Sequence, residues 1–286
     1  MEVIIAKHAG FCYGVRRAIE TVLQAAKGHS RQMFTLGPLI HNPQVVDGLA
    51  AQGVHSVSSL DDVPPGSIII MPSHGVPNQV RDQAKSSGLE IIDVTCPFVA
   101  KVHTLAERLV NQNYQVVVLG DKGHTEVRGI MCVAGEDAVA VSDIEELDGT
   151  KLQRRVGIVA QTTQTVEKYS RLVGKVSEHA YEVRAYNTIC DATLERQEAA
   201  LEATSEVDVM LVVGGRNSAN TRRLYEICSE SGTRTFHVEV AEEVEDSWFD
   251  GAQRVGITAG ASTPDWIIQG VAERVSEISA AVSANG

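Results

Sequence analysis

The sequence predicts an α/β fold in which parallel strands alternate with helices, and three observations support this prediction. Short runs rich in Val and Ile recur along the chain, a small polar loop follows each run, and each loop leads into a segment with helical periodicity. This alternation is typical of parallel sheets covered by helices. The length of 286 residues allows one large domain or two to three smaller ones.

Five apolar runs are the clearest strand candidates: Ser67–Met71, Gln115–Leu119, Val156–Val159, Asp208–Val213 and Val255–Thr258. Proline is favoured at the first position of a helix, so helix starts are predicted at Pro43, Pro97 and Pro264. An apolar stripe predicts an earlier helix that Gly28 ends. The stripe consists of Val15, Ala18, Ile19, Val22 and Leu23.

Composition and charge exclude several classes of protein. Hydrophobic residues make up 43% of the chain, as in an ordinary soluble globular protein, and the net charge of -12 disfavours broad electrostatic binding to nucleic acid or an anionic membrane. The apolar run at Met1–Ala6 is too short for a signal peptide, and no run approaches a membrane span. We therefore expect a cytoplasmic protein without nucleic-acid or membrane partners.

The five cysteines are an odd set without C-x-x-C spacing, which argues against a disulfide framework, a zinc ribbon and a thioredoxin-type redox pair. Three of them, Cys12, Cys96 and Cys190, each stand just before a helical stretch and lie 84 and 94 residues apart. Cys132 and Cys228 lack this context. Cys228 shares an apolar stripe with neighbouring residues, so we expect it in the core.

Polar loops follow the three cysteines at nearly constant distances. The first loop comes 28 or 29 residues after each cysteine, at His41, His124 and Ser218. A second loop follows in each segment, at His74, Thr162 and Ser262. The chain therefore reads as three diverged copies of one α/β unit, with boundaries at 1–95, 96–189 and 190–286.

Three cysteines brought together could hold three irons of a [4Fe–4S] cluster and leave the fourth iron open for chemistry. The alternative is that each is a small buried hydrophobic residue, which is the commonest fate of a free cysteine. The repeated placement favours ligation for the set.

The polar loops have a second predicted role, because the free N–H groups at a helix N-terminus make a natural phosphate site. Six such loops could enclose a diphosphate. The alternative is that their side chains only cap helices and form turns. Three histidines in equivalent loops favour binding. No dinucleotide G-x-G-x-x-G or P-loop pattern is present in the sequence.

Glu126 lies two residues after His124 in a loop of Gly, His and Thr. A solvated carboxylate is the ordinary outcome there. Next to an anionic cluster and a diphosphate, however, its pKa would tend upward, which makes Glu126 a candidate proton donor.

At this point the motifs resemble those of the hydroxymethylbutenyl diphosphate reductase family, in order and spacing, from the first strand to the last helix. The matching segments are Gly10–Val15, His41–Asn42, Ser73–Val76, Asp93–Pro97, Gly123–Glu126, Gln161–Thr163, Cys190–Thr193, Asn217–Asn220 and Gly256–Ser262.

The resemblance implies three similar α/β domains in a pseudo-threefold trefoil around one central [4Fe–4S] cluster. Its ligands would be Cys12, Cys96 and Cys190, with one open iron. The residues that the resemblance assigns to diphosphate binding are His41, His74, His124, Ser218, Asn220 and Ser262. Thr162 and Glu126 match residues near the substrate hydroxyl that take part in proton delivery.

The implied reaction is reductive dehydroxylation of 4-hydroxy-3-methylbut-2-enyl diphosphate to isopentenyl and dimethylallyl diphosphate, the last step of the non-mevalonate isoprenoid pathway. In the family the substrate hydroxyl binds the unique iron. Electrons come from ferredoxin or flavodoxin, so no bound NAD or flavin is expected. Two positions depart from the family pattern: Ala219 replaces a common second serine, and Thr125 replaces a common proline.

The sequence is also compatible with three alternatives. A quinolinate synthase also uses a three-cysteine cluster, but it would need carboxylate-binding arginines, and Arg216 is the only arginine in the polar loops. A non-catalytic iron–sulfur sensor would show no turnover with an allylic diphosphate. A zinc hydrolase would contain zinc in place of iron and sulfide.

Overall fold

The computed structural model describes residues 1–285 and confirms the α/β class. The strands in that range are β1 Glu2–Ile5, β2 Met33–Leu36, β3 Val54–Val57, β4 Ile68–Met71, β5 Glu90–Asp93, β6 Gln115–Leu119, β7 Val139–Val141, β8 Arg155–Ala160, β9 Glu182–Ala185, β10 Val209–Val213, β11 Arg234–Val238 and β12 Arg254–Ala259. The α-helices are α1 Tyr13–Gly28, α2 Pro43–Ala50, α3 Asn78–Ser86, α4 Pro97–Asn111, α5 Thr125–Ala134, α6 Val166–Ser177, α7 Asp191–Thr204, α8 Ala219–Glu230 and α9 Asp265–Asn285.

The strands form three four-stranded parallel sheets with one shared order. The first sheet has the order β3-β2-β4-β5, the second β7-β6-β8-β9 and the third β11-β10-β12-β1. Every neighbouring pair is parallel. In each sheet a pair of central strands is flanked by the strand between them in sequence on one side and by an outer strand on the other. The shared strand order is what three diverged copies of one α/β unit would produce.

The first strand departs from sequence order. β1 pairs with β12 in the register Glu2↔Arg254 to Ile5↔Ile257, so it belongs to the third sheet, although the boundaries drawn from the sequence place it in 1–95. It supplies the outer strand that β5 and β9 supply to the other two sheets. A short apolar run carries no information about which sheet will accept it, because every parallel edge offers the same backbone groups.

The chain divides into two compact units. One unit contains the third sheet and consists of Met1–Val15, His41–Val45 and the segment that begins at Asp191. The other unit contains the first and second sheets and consists of Arg16–Ile40 and Val46–Cys190.

Burial explains why the central strands read as continuous apolar runs. All four residues of β4 are fully buried, and β6 and β10 are buried along their whole lengths. Strands of parallel sheets are covered on both faces, so both faces favour apolar side chains. The five strand candidates are confirmed to within one residue at each end.

The predicted helix ends agree with the structure, except that α9 begins at Asp265, one residue after the predicted start at Pro264. Helix α1 ends at Gly28 and buries Ala18 and Val22 completely, and α2 and α4 begin at Pro43 and Pro97. Within residues 1–285, no helix combines the length and the apolar character that crossing a membrane requires.

Candidate active site

The three repeated cysteines occupy equivalent places. Cys12, Cys96 and Cys190 each stand immediately before a helix, at the N-termini of α1, α4 and α7, and each is partly exposed. The free N–H groups and the dipole of a helix N-terminus point toward each of these side chains. The three thiol groups therefore share one local environment.

The backbone N–H of each cysteine donates to a loop that follows a central strand of one of the sheets. The bonds run from Cys12 to the Ala261 carbonyl (3.2 Å), from Cys96 to the Ser73 carbonyl (2.9 Å) and from Cys190 to the Thr162 carbonyl (3.1 Å). These acceptors belong to the second polar loops, after β12, β4 and β8. Threefold repetition of one contact shows that the cysteine and the second loop form a single structural motif.

The other two cysteines differ. Cys228 is fully buried in α8, and burial raises the pKa of its thiol to about 12. Cys132 is exposed on α5. Among residues 1–285, no three His, Cys, Asp or Glu side chains are placed to hold a single metal ion.

Glu126 and Thr162 form the most distinctive polar pair. Glu126 lies in the first turn of α5, is 3% exposed, and accepts hydrogen bonds from the Thr162 backbone N–H (2.8 Å) and the Thr162 hydroxyl (3.0 Å). The Thr162 carbonyl in turn accepts the N–H of Cys190. A single residue therefore links the carboxyl group to the backbone of a cysteine.

Burial raises the pKa of Glu126 to about 7, against the lowering effect of the two bonds from Thr162 and with a smaller upward contribution from Asp121. The upward direction agrees with the sequence prediction, but the main cause is desolvation by the protein. A carboxyl group with this pKa can hold and release a proton near neutral pH.

His124 caps the helix that carries Glu126. Its Nδ1 accepts the backbone N–H of Glu126 at 3.2 Å, so the neutral ring carries its proton on Nε2. The capping role considered from sequence is therefore real, and it orients the imidazole so that Nε2 can act as a donor. Thr125 takes the first helical position.

His74 lies on a loop that is held at Ser73. The hydroxyl of Ser73 donates to the Leu39 carbonyl at 3.0 Å, and the Ser73 carbonyl accepts the N–H of Cys96. Gly75 has a φ of +77°, which favours glycine. His74 itself is 7% exposed.

His41, Ser218, Asn220 and Ser262 lie in the other unit. The Ser262 hydroxyl donates to the His41 carbonyl at 3.2 Å, and the Asn220 Oδ1 accepts the N–H of Ala261 at 3.0 Å. Ser218 caps α8 by accepting the N–H of Thr221. Burial lowers the pKa of His41, and the charge of Arg222 lowers it further, so the imidazole is neutral near pH 7.

Buried side-chain amides are a further feature of the site, and the sequence analysis assigned a role to Asn220 but not to Asn42 or Gln161. In Asn42, Gln161 and Asn220 the side-chain oxygen accepts a backbone N–H, while the buried amide nitrogen has no hydrogen-bond partner within residues 1–285. Unsatisfied buried donors are costly, and an anionic oxygen would satisfy them. Asn42 and Gln161 adjoin His41 and Thr162, and this adjacency was the available signal.

Arg216, which the quinolinate synthase alternative required as a carboxylate ligand, is exposed and pairs with Glu243 at 2.8 Å. Fold and site together define an α/β protein of three like sheets, in which each sheet carries a cysteine-and-loop motif and the polar loops and adjoining helix starts include buried side-chain donors.

Comparison with known proteins gives the family. The LytB protein family model matches residues 3–276. A curated relative from Pelobacter propionicus, named 4-hydroxy-3-methylbut-2-enyl diphosphate reductase, is 48% identical over 278 residues, which are 97% of this chain and 99% of that protein. A relative of the same name from Aquifex aeolicus is 44% identical and covers 97% of both chains. This chain belongs to the LytB family.

Two solved structures agree. A structure of (E)-4-hydroxy-3-methyl-but-2-enyl diphosphate reductase, described as the terminal enzyme of the non-mevalonate pathway, aligns with a TM-score of 0.70 at 44% identity and covers 97% of this chain and all of that one. The reductase from Plasmodium falciparum aligns with a TM-score of 0.91 at 28% identity, over 95% of this chain and 87% of that one.

Proposed function

We propose that this chain reductively removes the hydroxyl group of 4-hydroxy-3-methylbut-2-enyl diphosphate and forms isopentenyl and dimethylallyl diphosphate. Two electrons and two protons enter, the C–O bond breaks, a C–H bond forms, and water leaves. Support comes from the family and from the substrate named for its relatives. The observation that carries the proposal is the buried Glu126: its pKa of about 7 suits a proton donor, and it is bonded to Thr162, whose carbonyl accepts the N–H of Cys190.

The cofactor that the family resemblance implies is one [4Fe–4S] cluster held by Cys12, Cys96 and Cys190, with one iron free of protein ligands. The donor set fits: three partly exposed thiol groups stand at helix N-termini in one repeated local geometry. When bound, such a cluster supplies electrons and a Lewis-acidic iron.

The chain's own residues bind the substrate and deliver the proton. The diphosphate is bound by polar side chains of the loops, namely His41, His74, His124, Ser218, Asn220 and Ser262. Because the chain as a whole carries a net charge of -12, the anion depends on these local hydrogen-bond donors. Asn220 offers a buried N–H group oriented by its bond to Ala261. Charge-assisted hydrogen bonds to phosphate oxygens are about twice as strong as neutral ones.

Glu126 holds a proton on its carboxyl group near the substrate hydroxyl, and Thr162 keeps that group in place. When the leaving oxygen is protonated, water leaves in place of hydroxide, and the barrier to breaking the C–O bond is much lower. The electrons come from an external ferredoxin or flavodoxin, and the protein works in the cytoplasm without bound NAD.

The test is anaerobic purification, quantification of iron and acid-labile sulfide, and a turnover assay with reduced flavodoxin or ferredoxin. We expect about four irons and four sulfides per chain and formation of both products. Zinc in place of iron would favour the hydrolase alternative. A full cluster without turnover would favour a non-catalytic sensor.

A further inference from the structure

Thr95, which directly precedes Cys96, is contacted by two arginines. Arg17 of α1 donates from Nη1 to the Thr95 carbonyl at 3.3 Å, and Arg81 of α3 donates from Nη2 to the Thr95 hydroxyl at 3.2 Å. The N–H of Cys96 donates to Ser73. The peptide group between Thr95 and Cys96 is therefore hydrogen-bonded at its carbonyl and at its N–H. The partner of the carbonyl is a charged guanidinium group.

The charges in contact with this segment do not cancel. Asp93 pairs with Arg81 at 2.8 Å, and its other oxygen accepts the N–H of Thr95 at 2.9 Å. Arg17 forms no ion pair within residues 1–285. Two guanidinium groups face one carboxylate, and the segment that ends in Cys96 carries an excess positive charge.

A neighbouring group responds to this field. His103 of α4 packs against Gly75 and Gly129, and its pKa is lowered by burial and, second, by the charge of Arg81. The lowered pKa keeps His103 neutral, so it adds no compensating charge of its own.

A similar contact precedes Cys12. Arg196 of α7, which is 3% exposed, donates from Nη2 to the Gly10 carbonyl at 2.8 Å. Before Cys190 the corresponding contact is neutral, because the Thr188 hydroxyl bonds the backbone of Ala160. Guanidinium groups thus mark two of the three cysteine segments.

We propose that Arg17 and Arg81 raise the reduction potential of the cluster bound at Cys96, and that Asp93 opposes them. The inference rests on the proposed function. In each reduction step an external iron–sulfur or flavin protein loses one electron and the cluster gains it, so the cluster gains one negative charge. Nearby positive charge stabilises the reduced form, and nearby negative charge destabilises it.

The test is a redox titration, followed by electron paramagnetic resonance, of cluster-loaded Arg17→Gln, Asp93→Asn and Lys27→Gln proteins. Asparagine keeps the oxygen that accepts the Thr95 N–H while removing the charge. Lys27 is a matched control, since it is exposed on the same helix ten residues beyond Arg17, about 15 Å along the axis.

At a fixed potential, Arg17→Gln should lower the ratio of reduced to oxidised cluster by up to about tenfold, or about 59 mV for one electron. Asp93→Asn should raise this ratio. Arg17→Lys, which keeps the positive charge, should have a ratio close to that of the parent. Lys27→Gln should stay within about twofold of the parent. Structural damage does not predict shifts of opposite sign.

Shifts of the same sign in Arg17→Gln and Asp93→Asn, or shifts no larger than that of the Lys27 control, would overturn the inference and leave the proposed function intact. If Arg17→Gln loses its cluster, the test rests on Asp93→Asn, whose reduction potential should be higher than that of the parent. A parent protein without iron and sulfide would overturn both.

Discussion

In the proposed reaction the proton comes from one carboxyl group, that of Glu126. Glu126 is buried, both of its oxygens are bonded to Thr162, and its pKa is raised to about 7. An exposed glutamate would be ionised and hydrated at the same pH and could donate no proton. Burial in α5 therefore creates the acid, and the bonds from Thr162 limit how far its pKa rises.

The first prediction is that Glu126→Gln keeps the cluster and still binds substrate but loses about 10²–10⁴-fold in single-turnover rate, because glutamine cannot release a proton in the same way. In the parent, kcat/KM should fall as the pH rises above about 7, where the carboxyl group ionises. A variant with the parent rate would transfer the role to Thr162 and an ordered water.

The second prediction concerns stability. The pKa of Glu126 rises from 4.5 in the unfolded chain to about 7 in the folded one, so the folded state binds the proton more tightly, and its stability falls as the pH rises through this window. The shift corresponds to about 3 kcal/mol. Glu126→Gln should remove this fall in stability with rising pH.

Thermal melts of the parent and of Glu126→Gln at pH 5 and pH 8 give the measurement. The variant should gain in melting temperature relative to the parent at the higher pH. If the melting temperatures of the variant and the parent differ by the same amount at pH 5 and pH 8, Glu126 keeps its ordinary pKa in the folded protein.

The third prediction concerns diphosphate binding. His41→Ala, His74→Ala and Asn220→Ala should each raise KM at unchanged iron content, since each removes a contact to phosphate of roughly 1.5–3 kcal/mol. His179→Ala, an exposed histidine outside the polar loops, is the control and should leave KM unchanged. Parent-like substrate binding in all three variants would place the diphosphate elsewhere.

At the scale of elements, the repeated unit is a strand, a polar loop and a cysteine at a helix N-terminus. The same backbone bond joins cysteine and loop three times, at Ala261, Ser73 and Thr162. Each helix start thereby places its thiol group relative to the strand end of its own sheet. The proposed ligand set therefore depends on the loops as much as on the cysteines.

The fourth prediction follows from this motif. Cys12→Ser, Cys96→Ser and Cys190→Ser should each lose the cluster, whereas Cys132→Ser and Cys228→Ser should retain it, because one of these lies on the surface and the other in the core. Iron content and visible absorbance of the five anaerobically prepared variants give the result. A normal cluster in Cys96→Ser, or none in Cys132→Ser, would refute the assignment.

At the scale of the whole molecule, the sequence predicted the α/β class, the repeat and the main strands, because hydrophobic periodicity and cysteine spacing report local structure directly. It could not place β1, since strand pairing is a long-range choice. It did not single out Asn42 and Gln161, whose buried amides become visible only when their partners are known. The cause of the raised pKa of Glu126 likewise required the burial that only the fold supplies.

An electron-counted single turnover tests directly whether this chain reduces the allylic diphosphate. Anaerobically purified protein, loaded with cluster and reduced by a known number of electrons, is mixed with 4-hydroxy-3-methylbut-2-enyl diphosphate, and the products are separated and quantified. We predict one molecule of isopentenyl or dimethylallyl diphosphate for every two electrons consumed. Unchanged substrate in the presence of a fully reduced cluster would contradict the proposed function.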